Sequence, residues 1–106
     1  MMRFEEKRLE LQAILEELLG SRNVYFEPPT GFKMEYPCIV YERSSIDVVP
    51  ADDTKYLKSY SFTLTTIVQD ADSDLPDRVL DLPYCRYDRS FVNERLHHDA
   101  FTISFR

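Results

Sequence analysis

The sequence predicts an α+β domain: one mainly antiparallel sheet flanked by an N-terminal amphipathic helix and a short second helix, with a long strand-connecting loop or arm. Three observations carry that expectation. Apolar residues recur at three- and four-residue steps up to Gly20 and then stop. Further on the apolar spacing contracts to every second residue, most plainly in KSYSFTLTTIVQD and again in the closing FTISF. Between those runs, Pro76 and Pro83 bracket a stretch with room for only a brief helix. A chain of 106 residues supports one core of useful size, so positions 1–106 read as a single domain.

The first helix is expected from Arg3 to Leu19. Phe4, Leu11, Ile14, Leu15 and Leu18 make its apolar stripe, and Glu5, Glu6, Lys7, Glu10, Gln12, Glu16 and Glu17 its wet side. Gly20 suits the left-handed residue that ends such a helix. Its stripe is expected to cover the domain's own sheet. Val24, Tyr25 and Phe26 form a short strand that must stop before Pro28-Pro29, because proline restricts its predecessor and donates no ladder hydrogen bond. After the loop PPTGFKMEY, Pro37 leads into CIVYER. There Cys38 and Val40 face one way and Ile39 and Tyr41 the other, the pattern of a central strand covered on both sides.

Pro50, Ala51, Asp52 and Asp53 interrupt the alternation before the long strand resumes, so the Arg43 to Lys58 connection is either a hairpin arm or a loop reaching away from the body. The tail holds a mixed strand through Tyr87 and Phe91, a turn at Asn93-Glu94-Arg95, and a final strand in which Phe101, Ile103 and Phe105 alternate with Ala100, Thr102 and Ser104.

The stretch QDADSDLPDRVLDLPYC sets Asp70, Asp72, Asp74 and Asp81 at positions 1, 3, 5 and 12 of a would-be calcium loop. The sixth position of such a loop must be glycine, for a sharp turn, and the twelfth a bidentate glutamate; here they are Leu75 and Asp81. A helix start explains the aspartates better: Ser73 or Asp74 as cap, Pro76 in the first turn, Asp77 near the positive end, and Val79, Leu80 and Leu82 turned inward.

No catalytic, cofactor-binding or metal-binding residue is assigned, and the chain is read as a non-enzyme. Two glycines leave no phosphate-cradling loop. Neighbouring strand residues His97 and His98 point to opposite faces and cannot enter one metal site, so they read as turn-edge histidines. Asp52 and Asp53 read as solvated loop carboxylates, and no serine can be singled out for a catalytic triad. Cys38 and Cys85 lack metal or redox spacing, and Cys38 sits in an apolar run as a buried thiol would. The net charge is −6, with eight Asp against Lys55, Lys58 and Arg78 between Ile46 and Asp81. That argues against tight grip on nucleic acid, although Arg86, Arg89, Arg95 and Arg106 slightly exceed the acids after Cys85. The N-terminus lacks the apolar core of a signal peptide, and no later run approaches the ~20 residues that cross a bilayer, so a soluble protein without membrane contact is expected.

The pieces PPTGFKMEYPCIVYE, the ADDTKY loop before the long strand, DSDLPDRVLDLPYC and the closing RLHHDAFTISF, in that order and spacing, resemble small virion proteins of the head-tail module of long-tailed phages. These are the tail terminator, tail completion and head-tail joining proteins, and the likeness runs from Glu27 to Phe105. It implies a homo-oligomeric ring, hexameric in the usual case, that caps the tail tube and meets the head connector at the head-tail junction of the virion. DNA would pass through its lumen without specific binding. On that reading the Asp47 to Asp53 segment is the candidate subunit or partner contact, with Asp47, Asp52, Asp53 and Lys55 as its polar residues and Tyr56 as anchor. The alternatives are another head-tail component, such as a head completion protein or stopper, and a small monomeric acidic adaptor.

Overall fold

The computed structural model describes residues 4–50 and 56–105, with the side chains of all of these except positions 49, 50, 56, 57 and 105. The elements are α1 (Phe4–Leu19), β1 (Val24–Phe26), β2 (Cys38–Pro50), β3 (Tyr56–Val68), α2 (Leu75–Leu80), β4 (Cys85–Asn93) and β5 (Leu96–Phe105). They build an α+β fold on one five-stranded sheet of order β1-β2-β3-β5-β4. Only β1 pairs in parallel, with β2; the other three pairings are antiparallel.

Each helix forms and ends for local reasons. In α1, Leu11 and Leu15 are fully buried, while Phe4 and Leu18 pack at the margin of the core. Burying each leucine contributes about 1.5–3 kcal/mol. Gly20 closes the helix at φ +82°, and its amide donates to the Glu16 carbonyl at 2.9 Å. One of the last carbonyls, that of Leu18, accepts from Arg78 Nη1 at 2.7 Å, so α2 supplies the cation that the end of α1 lacks. In α2, Asp74 occupies the cap position, but the side-chain bond comes from its neighbour: the Leu75 amide donates to Ser73 Oγ at 3.3 Å. Pro76 lies in the first turn, where a missing N–H costs nothing. Val79 is buried and Leu82 packs against the core, whereas Leu80, expected inward, is 42% exposed. A helix this short offers the sheet only one stripe, which Leu75 and Val79 occupy, and Leu80 falls a quarter-turn away.

Both helices lie on the same face of the sheet. Leu11, Leu15, Leu75 and Val79 belong to one cluster with Ile39, Tyr41, Phe62, Leu64, Phe101 and Ile103. The register explains that membership, because Tyr41 pairs with Leu64 and Leu64 with Phe101, placing all three on one side. Tyr41 is tied to α1 through its hydroxyl, which donates to Gln12 Oε1, and Gln12 Nε2 in turn donates to the Val24 carbonyl at 3.0 Å. The expectation that β2 is covered on both sides is met on one only. Cys38 and Val40 do alternate with Ile39 and Tyr41, but their face, shared with Ser61, Thr63 and Thr65, carries no helix among the described residues. Ser and Thr dominate there because a half-solvated face favours β-branched and polar side chains.

Two bulges modify the alternation. The register of β2 against β3 shifts at Ser44, and that of β4 against β5 at Asp88. Beyond Ser44 the even-numbered residues, Ile46 and Val48, take the side that Ile39 and Tyr41 take before it. The turn between β4 and β5 is made by Glu94 and Arg95, both at positive φ, which matches the primed two-residue turns of hairpins.

Candidate functional site

β2 and β3 continue past the end of β5, whose last pair, Phe105 with Tyr60, is where the three-stranded part stops. Four further pairs, from Asp47–Ser59 to Pro50–Tyr56, run on as a two-stranded ribbon. The Arg43 to Lys58 connection is therefore a hairpin arm and not a loop. At ~3.3 Å per residue its outer four residues reach about 13 Å beyond the body. The arm accounts for the extents of 52 × 23 × 23 Å and for a radius of gyration of 14.9 Å, against about 13 Å for an ordinary domain of this length.

At the arm's root the Arg43 guanidinium sits 5.2 Å over the Phe4 ring, which also contacts Tyr60 and Phe62, and closes the core. Past that point the apolar stripe continues but is no longer buried: Ile46 is 43% exposed and Val48 53%. Lys58, opposite Val48 and on the same side, is exposed. Asp47 is exposed on the reverse side, opposite Ser59. Of the other candidate contact residues, Asp52, Asp53 and Lys55 lie outside the described residues, and Tyr56 is described only as the start of β3, paired with Pro50.

A second feature lies between the start of α1, the segment after α2 and the end of β5. It is a cleft of about 310 Å³ lined by Glu10, Ile14, Leu82, Pro83, Tyr84 and Ile103, among others. Tyr84 stands at its lip, 76% exposed, with a backbone φ of +58°. A tyrosine in the left-handed region is strained, because its Cβ crowds the following carbonyl. Its carbonyl holds the segment to the sheet by accepting from the Ser104 amide at 3.3 Å.

Several of the residues weighed for chemistry are engaged structurally among the described residues. Asp70 Oδ1 accepts from the Asp72 amide at 2.9 Å, which shapes the turn before α2, and Asp74 pairs with Arg78 at 3.3 Å across one helical turn. Among the described residues no group of three or more His, Cys, Asp or Glu could hold a metal. His97 and His98 lie within β5, on opposite faces, just past the turn where they were expected. The His98 ring stacks on Phe91 at 4.6 Å, and Asp99 accepts from the Tyr87 hydroxyl at 2.8 Å. The basic excess after Cys85 is reduced by pairing, since Arg86 reaches Asp88 at 3.2 Å. Cys38 is buried and Cys85 half-buried, both free; burial pushes each thiol up to about 11, with the Asp88 carboxylate adding to the effect at Cys85. Among the described residues no helix is long and apolar enough to cross a membrane.

No protein-family model matches the chain, and no curated protein matches it.

The sequence had pointed to the acidic tip of the arm as the contact. What it did not show is the apolar stripe at 46 and 48, although Ile46-Asp47-Val48 alternates visibly; without the bulge at Ser44 its side could not be assigned. The cleft was invisible, because Ile14, Tyr84 and Ile103 come from three separate segments.

Proposed function

We propose that this chain is a structural protein of a phage virion, a tail terminator or tail completion protein, whose copies close into a ring at the head-tail junction. Two things support the reading: the resemblance running from Glu27 to Phe105, and the arm. The arm is the observation that carries it. A two-stranded ribbon is marginal in water, and this one exposes Val48, with Ile46 exposed at its root, an arrangement that suits a chain whose neighbours complete it. The acidic excess fits a lumen through which DNA passes without being held, since like charge repels phosphates.

The test is the solution mass of the purified protein, by light scattering across a range of concentrations, combined with electron microscopy of tail tubes polymerised in its presence. Closed oligomers and tubes capped at fixed length are expected. A monomer at every concentration that leaves tube length unchanged would defeat the proposal and favour the monomeric adaptor.

A further inference from the structure

We infer that the outer edge of β4 pairs with the same edge of a second copy, residues 89–93 running antiparallel to themselves about a two-fold axis at Phe91. The contact uses neither the arm nor the cleft and goes beyond the ring reading. β4 ends the sheet, so one of its edges has no neighbouring strand among the described residues, and residues 86–93 are all exposed. The backbone direction along that edge follows from the turn. Glu94 and Arg95 make a two-residue primed turn, in which the flanking pair, Asn93 with Leu96, exchanges both hydrogen bonds. Every second pair does the same, so Phe91 and Arg89 also direct their N–H and C=O groups toward β5. Ser90 and Val92 direct theirs outward, which leaves four backbone groups waiting for partners.

An edge of this kind is a template for another strand unless something blunts it. The bulge at Asp88 blunts the first half, but residues 89–93 hold no bulge, proline or lysine. The same stretch carries large apolar groups on both faces: Phe91, 41% exposed, beside His98 on the open face, and Val92, 62% exposed, on the helix side. A strand laid along the edge covers both at once. The strand that fits is the chain's own. Centred on Phe91, the regular run pairs with itself over its whole length. The outward groups of Ser90 then meet those of Val92 twice over, and Phe91 faces Phe91 at a non-hydrogen-bonded pair, where side chains come closest. Arg89 faces Asn93. At each end Asp88, held by Arg86 at 3.2 Å, comes near Glu94, which has Arg95 beside it, so two cations offset two acids. An axis at Ser90 would draw the bulge at Asp88 into the ladder, and one at Val92 would set Arg95 of the turn against Arg89. The other free edges are poorer templates: β1 has three residues and soon meets Pro28, and β2 ends its arm at Pro50. The contact is isologous and closes at two copies.

The experiment uses full-length variants. Ser90→Pro deletes only an outward N–H, at a place where an edge strand accepts proline, so its unfolding midpoint in dilute solution is expected to match the parent's. Two hydrogen bonds are lost per dimer, and association in sedimentation is expected to weaken about tenfold or more. Five residues a side is far below the roughly 20–30 of a stable interface, so the parent dimer is expected to dissociate on dilution. Phe91→Cys sets two thiols at the axis within disulfide reach, and mild oxidation should trap a covalent dimer in excess of the parent's own crosslinking, whereas Val92→Cys should not. No trapped dimer from Phe91→Cys, or Ser90→Pro associating as the parent does, would overturn the contact. Association kept in Ser90→Pro but lost in Val48→Asp would overturn it in favour of the arm. The ring is read separately, from tube capping, so either reading can fail without the other.

Discussion

Thr66 is fully buried on the core face of β3, and its Oγ1 has no hydrogen-bond partner among the described residues. It lies between Ile39 of β2 and Asp99 of β5, directly opposite each. A buried hydroxyl without a partner costs about 1–3 kcal/mol. Replacing that hydroxyl with a methyl group of similar shape, in Thr66→Val, removes the cost and adds apolar burial worth up to ~0.8 kcal/mol. Valine is also stiff at χ1 in the way a strand favours, so little rotamer freedom is lost. The expected result is stabilisation of about 1 kcal/mol or more. In a domain of this size that raises the melting temperature by roughly 4–8 °C per kcal/mol. Urea unfolding followed by circular dichroism at fixed protein concentration measures it as a higher midpoint at unchanged slope. The control is Thr66→Ser, which keeps the hydroxyl and deletes the methyl, and should lose about 1 kcal/mol. If Thr66→Val unfolds at or below the parent's midpoint with the same slope, the hydroxyl is satisfied in solution and the reasoning fails.

Three further outcomes follow from the same packing. Leu15→Ala, at a fully buried position of α1, should cost about 2–5 kcal/mol in the same unfolding assay, since it removes one of the helix's two fully buried leucines. Gly20→Ala meets no atom within 4 Å of the new Cβ, so only the backbone penalty at φ +82° remains, about 1–2 kcal/mol, and Gly20→Asn should lose less. The thiols of Cys38 and Cys85 are held up to about 11 in the folded chain against 9.0 as the ordinary value, so the unfolded chain releases their protons first as pH rises. Their contribution to stability is whole below pH 9 and lost as pH climbs toward 11, which denaturation midpoints across that window should show as a decline that is smaller in Cys38→Ala.

Element order and type were legible because each element announces itself within its own few residues: the stripe of α1, the alternation of β3 and β5, the proline and aspartates around α2. The parts that were not legible depend on partners distant in the chain. Leu80 looks as apolar as Val79, and only the position of the sheet decides which of them is buried. The single-sided covering of β2 could not be read from CIVYER, since Cys38 and Val40 are as apolar as Ile39 and Tyr41; it depends on α1 and α2 choosing the same face. Arg78 capping the end of α1 joins residues on two helices that share no sequence signal. The arm was half legible. Its interruption at Pro50 marked a reversal, but a ribbon and a loop leave the same trace when the tip is polar.

The unpaired residue at Ser44 acts as a phase shifter for the ribbon. A strand turns each successive side chain through half a revolution, so a single extra position there decides whether Ile46 and Val48 look toward the helices or away from them. Past that point the ribbon can lengthen or shorten by matched residues on both strands and keep its aspect, whereas one unmatched insertion would reverse it. The reach of this projection is thus adjustable in steps, while its facing is set once, at its root.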